Sequence, residues 1–285
     1  MKPKIIISKN AGYCMGVKRA FSESYKIYQS NKNLSVYGEM VHNKYALKSL
    51  YDKGIIFKKT IEDIINDKNI KNVIIRAHGI PPYEEKILKE NNKIIYDFTC
   101  PKVKKVQLLT RQLSNNGYSI IIFGKKDHPE VIGITGYCKK PYYVVGNLKE
   151  SKKLPFEKIN KPALISQTTM NSKIFEEICI FLKTKFKNIK ICNTLCKLPI
   201  KIQDSSIELS KKVEAMIVVG DKMSANTNTL YEKIKLTKKC WFIETEKDLN
   251  LDEIKKLKKI GITGGTSTPQ WQIEMIKNYI EKNIY

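Results

Sequence analysis

Short apolar runs that end in a small polar turn recur along this chain, and the stretches between them read as helices of mixed polarity. The runs include KIIIS at 4–8, SVYG at 35–38, IIRAHG at 74–79, KIIYDF at 93–98, IIIFG at 120–124, ALISQTT at 163–169, IKICN at 189–193, IVVG at 217–220 and GITGGTST at 261–268. Strand and helix in alternation predict right-handed crossovers and mostly parallel sheets, an α/β class.

The runs repeat in register. Cys14, Cys100 and Cys196 each follow one run and precede a helix-like stretch, and one common step from each cysteine lands on Gly38, Gly124 and Gly220. Four positions later stand His42, His128 and Ser224, and a later run in each third ends at His78, Thr168 or Ser267. The pattern predicts three similar α/β units, at 14–97, 98–193 and 194–285, set about a pseudo-threefold axis. Ligand sites in open α/β sheets lie beyond the carboxyl ends of strands, so the polar turns would face one central cavity.

Composition narrows the function. A chain of 285 residues with 42% hydrophobic content can bury substantial cores. No stretch approaches the roughly 20 apolar residues of a membrane span, and no targeting segment is visible, so a soluble protein is expected. Seven cysteines, an odd number without small-domain spacing, point to a reducing compartment with free thiols. The net charge of +24 raises nucleic acid as a partner, yet of 52 basic residues only Arg19, Arg76 and Arg111 are arginine. Base and phosphate recognition favours the arginine fork, so nucleic-acid binding is set aside and steering of an acidic partner preferred.

Cys138, Cys179, Cys192 and Cys240 lie in or beside apolar runs without counterparts in the other thirds and read as core filler. The three repeated cysteines stand at loop-to-helix transitions, where the helix dipole favours thiolate. Zinc sites of structural type use close cysteine pairs, and none exists here. Three widely spaced thiolates suit an iron-sulfur cluster held through three of its irons, with the fourth open for reductive chemistry. His42, His78 and His128, with Ser224, Asn226 and Ser267 in matching turns, suggest an anion pocket suited to a diphosphate. Glu130, two residues after His128, is the candidate proton donor.

At these residues the chain resembles the 4-hydroxy-3-methylbut-2-enyl diphosphate reductases of the non-mevalonate isoprenoid pathway. The resemblance runs through A-G-Y-C-M-G-V-K-R-A around Cys14, E-M-V-H-N-K around His42, R-A-H-G-I around His78, D-F-T-C-P-K-V around Cys100, H-P-E-V-I-G from His128, S-Q-T-T at Thr168, S-A-N-T-N around Asn226 and G-G-T-S-T-P ending at Pro269. It implies that Cys14, Cys100 and Cys196 bind a 4Fe-4S cluster whose open iron takes the substrate hydroxyl. It further implies that His42, His78, His128, Ser224, Asn226 and Ser267 hold the diphosphate, and that Glu130 and Thr168 lie near the hydroxyl, with Glu130 relaying protons. Ferredoxin or flavodoxin would supply electrons, the first dozen residues (strand 1–13) would join the third unit, and the location would be cytoplasmic, or plastidic once a transit peptide is removed.

The chain departs from that family after Cys196, where it reads K-L-P-I-K-I-Q, and at Ala225. Two rivals remain at this level. A quinolinate synthase-like dehydratase also joins three α/β units around three cysteines but lacks the His-Glu and Q-T-T motifs. A non-catalytic iron-sulfur or nucleic-acid-binding protein would show salt-sensitive binding without a diphosphate.

Overall fold

The computed structural model describes residues 3–139 and 141–284. Its strands are β1 (Lys4–Ile7), β2 (Leu34–Tyr37), β3 (Ile56–Lys58), β4 (Asn72–Ile75), β5 (Ile94–Asp97), β6 (Ser119–Phe123), β7 (Tyr142–Val145), β8 (Pro162–Ser166), β9 (Lys190–Ile191), β10 (Ala215–Val219), β11 (Lys239–Ile243) and β12 (Lys259–Gly264). Helices follow most of them: α1 (Met15–Ser30), α2 (Lys44–Tyr51), α3 (Ile61–Asn66), α4 (Pro82–Glu90), α5 (Pro101–Asn115), α6 (Pro129–Thr135), α7 (Leu148–Ser151), α8 (Ser172–Lys185), α9 (Lys197–Ser210), α10 (Ala225–Lys235), α11 (Leu251–Ile254) and α12 (Gln270–Asn283).

Three four-stranded sheets result, ordered β3-β2-β4-β5, β7-β6-β8-β9 and β11-β10-β12-β1. The α/β reading of the sequence is thus met by three parallel sheets. Each has the same plan. A strand closing on a repeat glycine (β2, β6, β10) lies second, the strand bearing the last polar turn (β4, β8, β12) lies third, and a strand leading to a cysteine (β5, β9, β1) forms an edge. The third sheet is completed from the other end of the chain, because β1 runs parallel to β12 with Lys4 opposite Lys259.

Packing groups the residues into two compact units. One comprises residues up to Gln29, Glu39–Ile56 and Lys197 onward, and holds the β1-containing sheet; the other comprises Ser30–Gly38 and Phe57–Cys196 and holds the remaining two. Inside the β6–β8 sheet the side chains alternate between two cores, as the pleat requires. Ile121, Phe123 and Leu164 enter one cluster with Phe175 and Ile178 of α8, while Ile120, Ile122, Ala163 and Ile165 enter another with Val106 and Leu113 of α5. Each fully buried Ile or Phe contributes about 1.5–3 kcal/mol. This explains why the central runs are continuously apolar: both faces are covered.

Register carries the fold into the site. Phe123 stands opposite Ser166 and Val219 opposite Gly264, so the turns that follow each paired strand emerge side by side. The repeat glycines serve close approach at these ends. A Cβ on Gly124 would lie 2.7 Å from Val131 Cγ2, and one on Gly220 (φ +148°) 2.6 Å from Thr268 Oγ1. Among the described residues no helix is long and apolar enough to cross a membrane.

Candidate active site

In the unit holding two sheets, three turns supply chemistry. His128 ends the loop after β6 and caps α6, its Nδ1 accepting the Glu130 N–H at 3.1 Å. That bond requires a bare Nδ1, so a neutral His128 carries its proton on Nε2. Its ring meets that of His78 edge to face, with centroids 5.3 Å apart at 89°. Glu130 is 2% exposed and turns toward the end of β8. There Thr168 grips it twice, the backbone N–H donating to Oε1 at 2.6 Å and the hydroxyl to Oε2 at 3.0 Å. Burial raises the Glu130 carboxyl to about 7 against its ordinary 4.5, and the two Thr168 bonds oppose that rise without cancelling it.

The cysteines of this unit are tied to the same turns through their backbone. Cys100 caps α5, and its N–H donates to Ala77 O, next to His78. Cys196 donates its N–H to Thr168 O at 2.7 Å and leads into α9. The departure K-L-P-I-K-I forms the first turns of α9, where Pro199 is tolerated because the first N–H groups of a helix have no internal acceptor.

The other unit gathers a hydroxyl and amide group. Ser224 caps α10 and shares a 2.9 Å hydrogen bond with Ser267, both buried, while Asn226 donates to Thr266 Oγ1 at 2.9 Å. Ala225 is the first residue of α10 and leaves the Ser224 cap intact. His42 is more exposed, its side chain 54% accessible and Nδ1 3.8 Å from Glu39. Its loop is nevertheless anchored. Buried Asn43 caps α2 and donates to Gln272 Oε1 at 3.0 Å, and the Lys44 N–H donates to Asp221 Oδ2 at 2.9 Å, three residues before Ser224. Cys14 precedes α1, its Sγ accepting from Val17 N–H at 3.5 Å, and Gly12 beside it bonds Gly264 O.

Sequence reasoning missed Asn43, Asp221 and Gln272, whose polar types in otherwise ordinary positions give no signal until distant segments pair. It also missed Gln107, a fully buried amide on the inner face of α5.

Among the described residues no cysteine forms a disulfide. Cys138 and Cys192 pack beside one core of the β6 sheet, Cys179 beside the other, and Cys240 beside the β10 core. Burial pushes Cys138 and Cys240 up to about 12 and raises Cys179 and Cys192, so these four are neutral thiols. Cys14, Cys100 and Cys196 remain as half-buried thiols directly before helices. As a donor set they suit iron and sulfide. Among the described residues no three His, Cys, Asp or Glu side chains form a metal-binding group.

A family model described as LytB protein matches residues 5–281. The chain belongs to the LytB protein family. A LytB-family relative from Clostridioides difficile (strain 630), named 4-hydroxy-3-methylbut-2-enyl diphosphate reductase, is 36% identical over 278 residues, covering 97% of this chain and 99% of the relative. One of the same name from Campylobacter hominis is 39% identical, covering 96% and 97%. Among solved structures, one described as that reductase, the terminal enzyme of the non-mevalonate pathway, shares 33% identity with a TM-score of 0.78, covering 98% of this chain and 99% of the other. The Plasmodium falciparum E-1-hydroxy-2-methyl-but-2-enyl-4-diphosphate reductase shares 28% identity with a TM-score of 0.83, covering 98% and 88%.

Proposed function

We propose that this chain reduces 4-hydroxy-3-methylbut-2-enyl diphosphate to isopentenyl and dimethylallyl diphosphate, the last step of the non-mevalonate pathway. Full-length likeness to reductases of that name supports the reaction. The buried Glu130 carboxyl, poised near neutrality and held by Thr168, is the observation that carries it. Two electrons and two protons enter, the C–O bond breaks, the oxygen leaves as water, and one new C–H bond forms.

Cys14, Cys100 and Cys196 would hold a 4Fe-4S cluster, which supplies electrons and a Lewis-acidic iron when bound. His78 and His128, with His42, Ser224, Asn226 and Ser267, bind the diphosphate. Imidazole and hydroxyl donors neutralise its oxygens without needing arginine. Thr168 fixes Glu130 with an N–H and an O–H on separate oxygens, which sets where its proton points. A carboxylic acid near 7 is half-protonated at neutral pH, so Glu130 can deliver a proton to the departing oxygen and recover it from water. Its 2% exposure limits competing exchange with bulk water.

The lysine-rich surface suits an acidic one-electron donor such as ferredoxin or flavodoxin. A cytoplasmic location and no nucleic-acid partner accord with this reading, and the repeat is divided at 14–97, 98–193 and 194–285 with 1–13 joining the last. The test is an anaerobic assay of cluster-reconstituted protein with the hydroxylated diphosphate and a reduced one-electron donor. Formation of the two isoprenoid diphosphates is expected; their absence from protein carrying iron and sulfide would refute the assignment.

A further inference from the structure

Gln107 is out of place by the rules that shape the rest of α5. The inner face of that helix is formed by Val103, Val106, Gln107, Thr110, Leu113 and Ser114. Thr110 is satisfied, donating to Val106 O at 2.8 Å. Gln107 is 0% exposed, and among the described residues neither its amide nitrogen nor its amide oxygen finds a hydrogen-bond partner. An apolar side chain of equal shape would avoid that desolvation cost entirely. Such a group in a native protein calls for an explanation.

Its surroundings point to the role. Gln107 Nε2 lies where a Cβ on Gly79 would be 2.5 Å away and where one on Gly133 would be 3.1 Å away. Gly79 (φ +71°) follows His78 directly. Gly133 lies one helical turn beyond Glu130 on α6, the helix that His128 caps. The carbonyl of His78 and the amide of Gln107 both border the space beside Gly133. The amide is therefore wedged between the two segments that carry the edge-to-face imidazoles. Gly79 and Gly133 are the two residues whose lack of a side chain lets it in.

We propose that Gln107 is a positioning residue for diphosphate binding, acting through His78 and His128. This rests on the reading of that imidazole pair as part of the diphosphate site. Its amide is left unsatisfied in the free protein and gains partners from the His78 turn when the anion draws the two imidazole segments together. The cost carried by the free state is thus relieved on binding, which tightens the site for the anion. The proton delivery by Glu130 is untouched, because that carboxyl is fixed by Thr168 in the turn after β8.

The experiment compares wild type with Gln107→Met, which keeps the unbranched shape and removes the amide, and Gln107→Glu, which keeps shape and polarity but adds charge. Inorganic diphosphate binding is read by calorimetry and by the rise in Tm it causes, and kcat and KM are read on the reconstituted enzyme. For Gln107→Met the free protein should melt at a higher temperature, bind diphosphate about tenfold more weakly, and show a similar rise in KM with kcat within about twofold of wild type. Gln107→Glu should weaken binding further at pH 8. Equal diphosphate affinity in all three proteins would reduce Gln107 to packing, and a lower Tm for free Gln107→Met would show the amide already satisfied; either overturns the proposal. If wild type itself binds no diphosphate, the underlying reading of the site falls with it.

Discussion

Thr168 holds both oxygens of Glu130, its backbone N–H on one at 2.6 Å and its hydroxyl on the other at 3.0 Å, across 38 residues of sequence. Burial outweighs these two bonds and leaves the carboxyl titrating at about 7. Position and proton affinity are thus set by different parts of the structure: the β6–β8 register supplies the first, the closed surroundings the second.

Replacing Glu130 with Gln separates them. The amide can still accept from the Thr168 N–H and donate to its hydroxyl, so geometry persists while the titratable proton is lost. We expect kcat to fall by about 10²–10⁴ with substrate affinity little changed. Steady-state turnover beside diphosphate binding checks this, and normal turnover would require another proton route.

The same variant changes the pH dependence of stability. The folded-state carboxyl titrates at about 7 and the unfolded one near 4.5, so between these values the folded protein binds more protons. The contribution is full below about 4.5 and is lost as pH rises through 7, on the order of 3 kcal/mol in all. Glu130→Gln removes that loss. Its stability advantage over wild type in urea should be larger at pH 8 than at pH 5; an equal difference at both would mean the carboxyl is ionised throughout.

Ser224 both caps α10 and meets Ser267. Ser224→Ala should cost about 1 kcal/mol through the lost cap. It should also raise KM for the diphosphate substrate several-fold by the loss of one hydroxyl donor. Denaturation midpoints and KM measured together distinguish a bound donor from a cap alone, since a cap alone would leave KM unmoved.

Equivalence of place should mean equivalence of effect among the thiols. Serine at Cys14, Cys100 or Cys196 should lower iron content and bleach the visible absorption of reconstituted protein. Serine at Cys138, Cys179, Cys192 or Cys240 should preserve both, at a stability cost from placing a hydroxyl beside a core. Full iron in any of the first three variants would remove that residue from the ligand set.

Much of this was legible because the repeat is written in residue types with strict backbone demands. Gly38, Gly124 and Gly220 mark strand ends where no side chain fits, and the cysteines mark the ends of edge strands. What stayed hidden depends on partners far away in sequence. The Lys44 bond to Asp221 and the Asn43 bond to Gln272 exist only once separate elements have packed. The sequence pattern proposed His128 as an anion ligand but did not reveal it as a helix cap, since histidine seldom fills that position. Gln107 looked like one polar residue among several on a mixed helix; only its neighbours, Gly79 and Gly133, reveal that it is enclosed.

The pairing of β1 with β12 orders events in time as well as in space. Lys4–Ile7 finds its partner at Lys259–Gly264, so during synthesis the strand waits, unpaired, until almost the whole chain has emerged. The Gly12 bond to Gly264 closes in the same late step and seats the loop that leads into Cys14. Cys100 and Cys196 are anchored by nearer neighbours and can be in place earlier. The proposed set of three thiols would therefore be complete only with the finished sheet, and a chain truncated before β12 is expected to bind less iron.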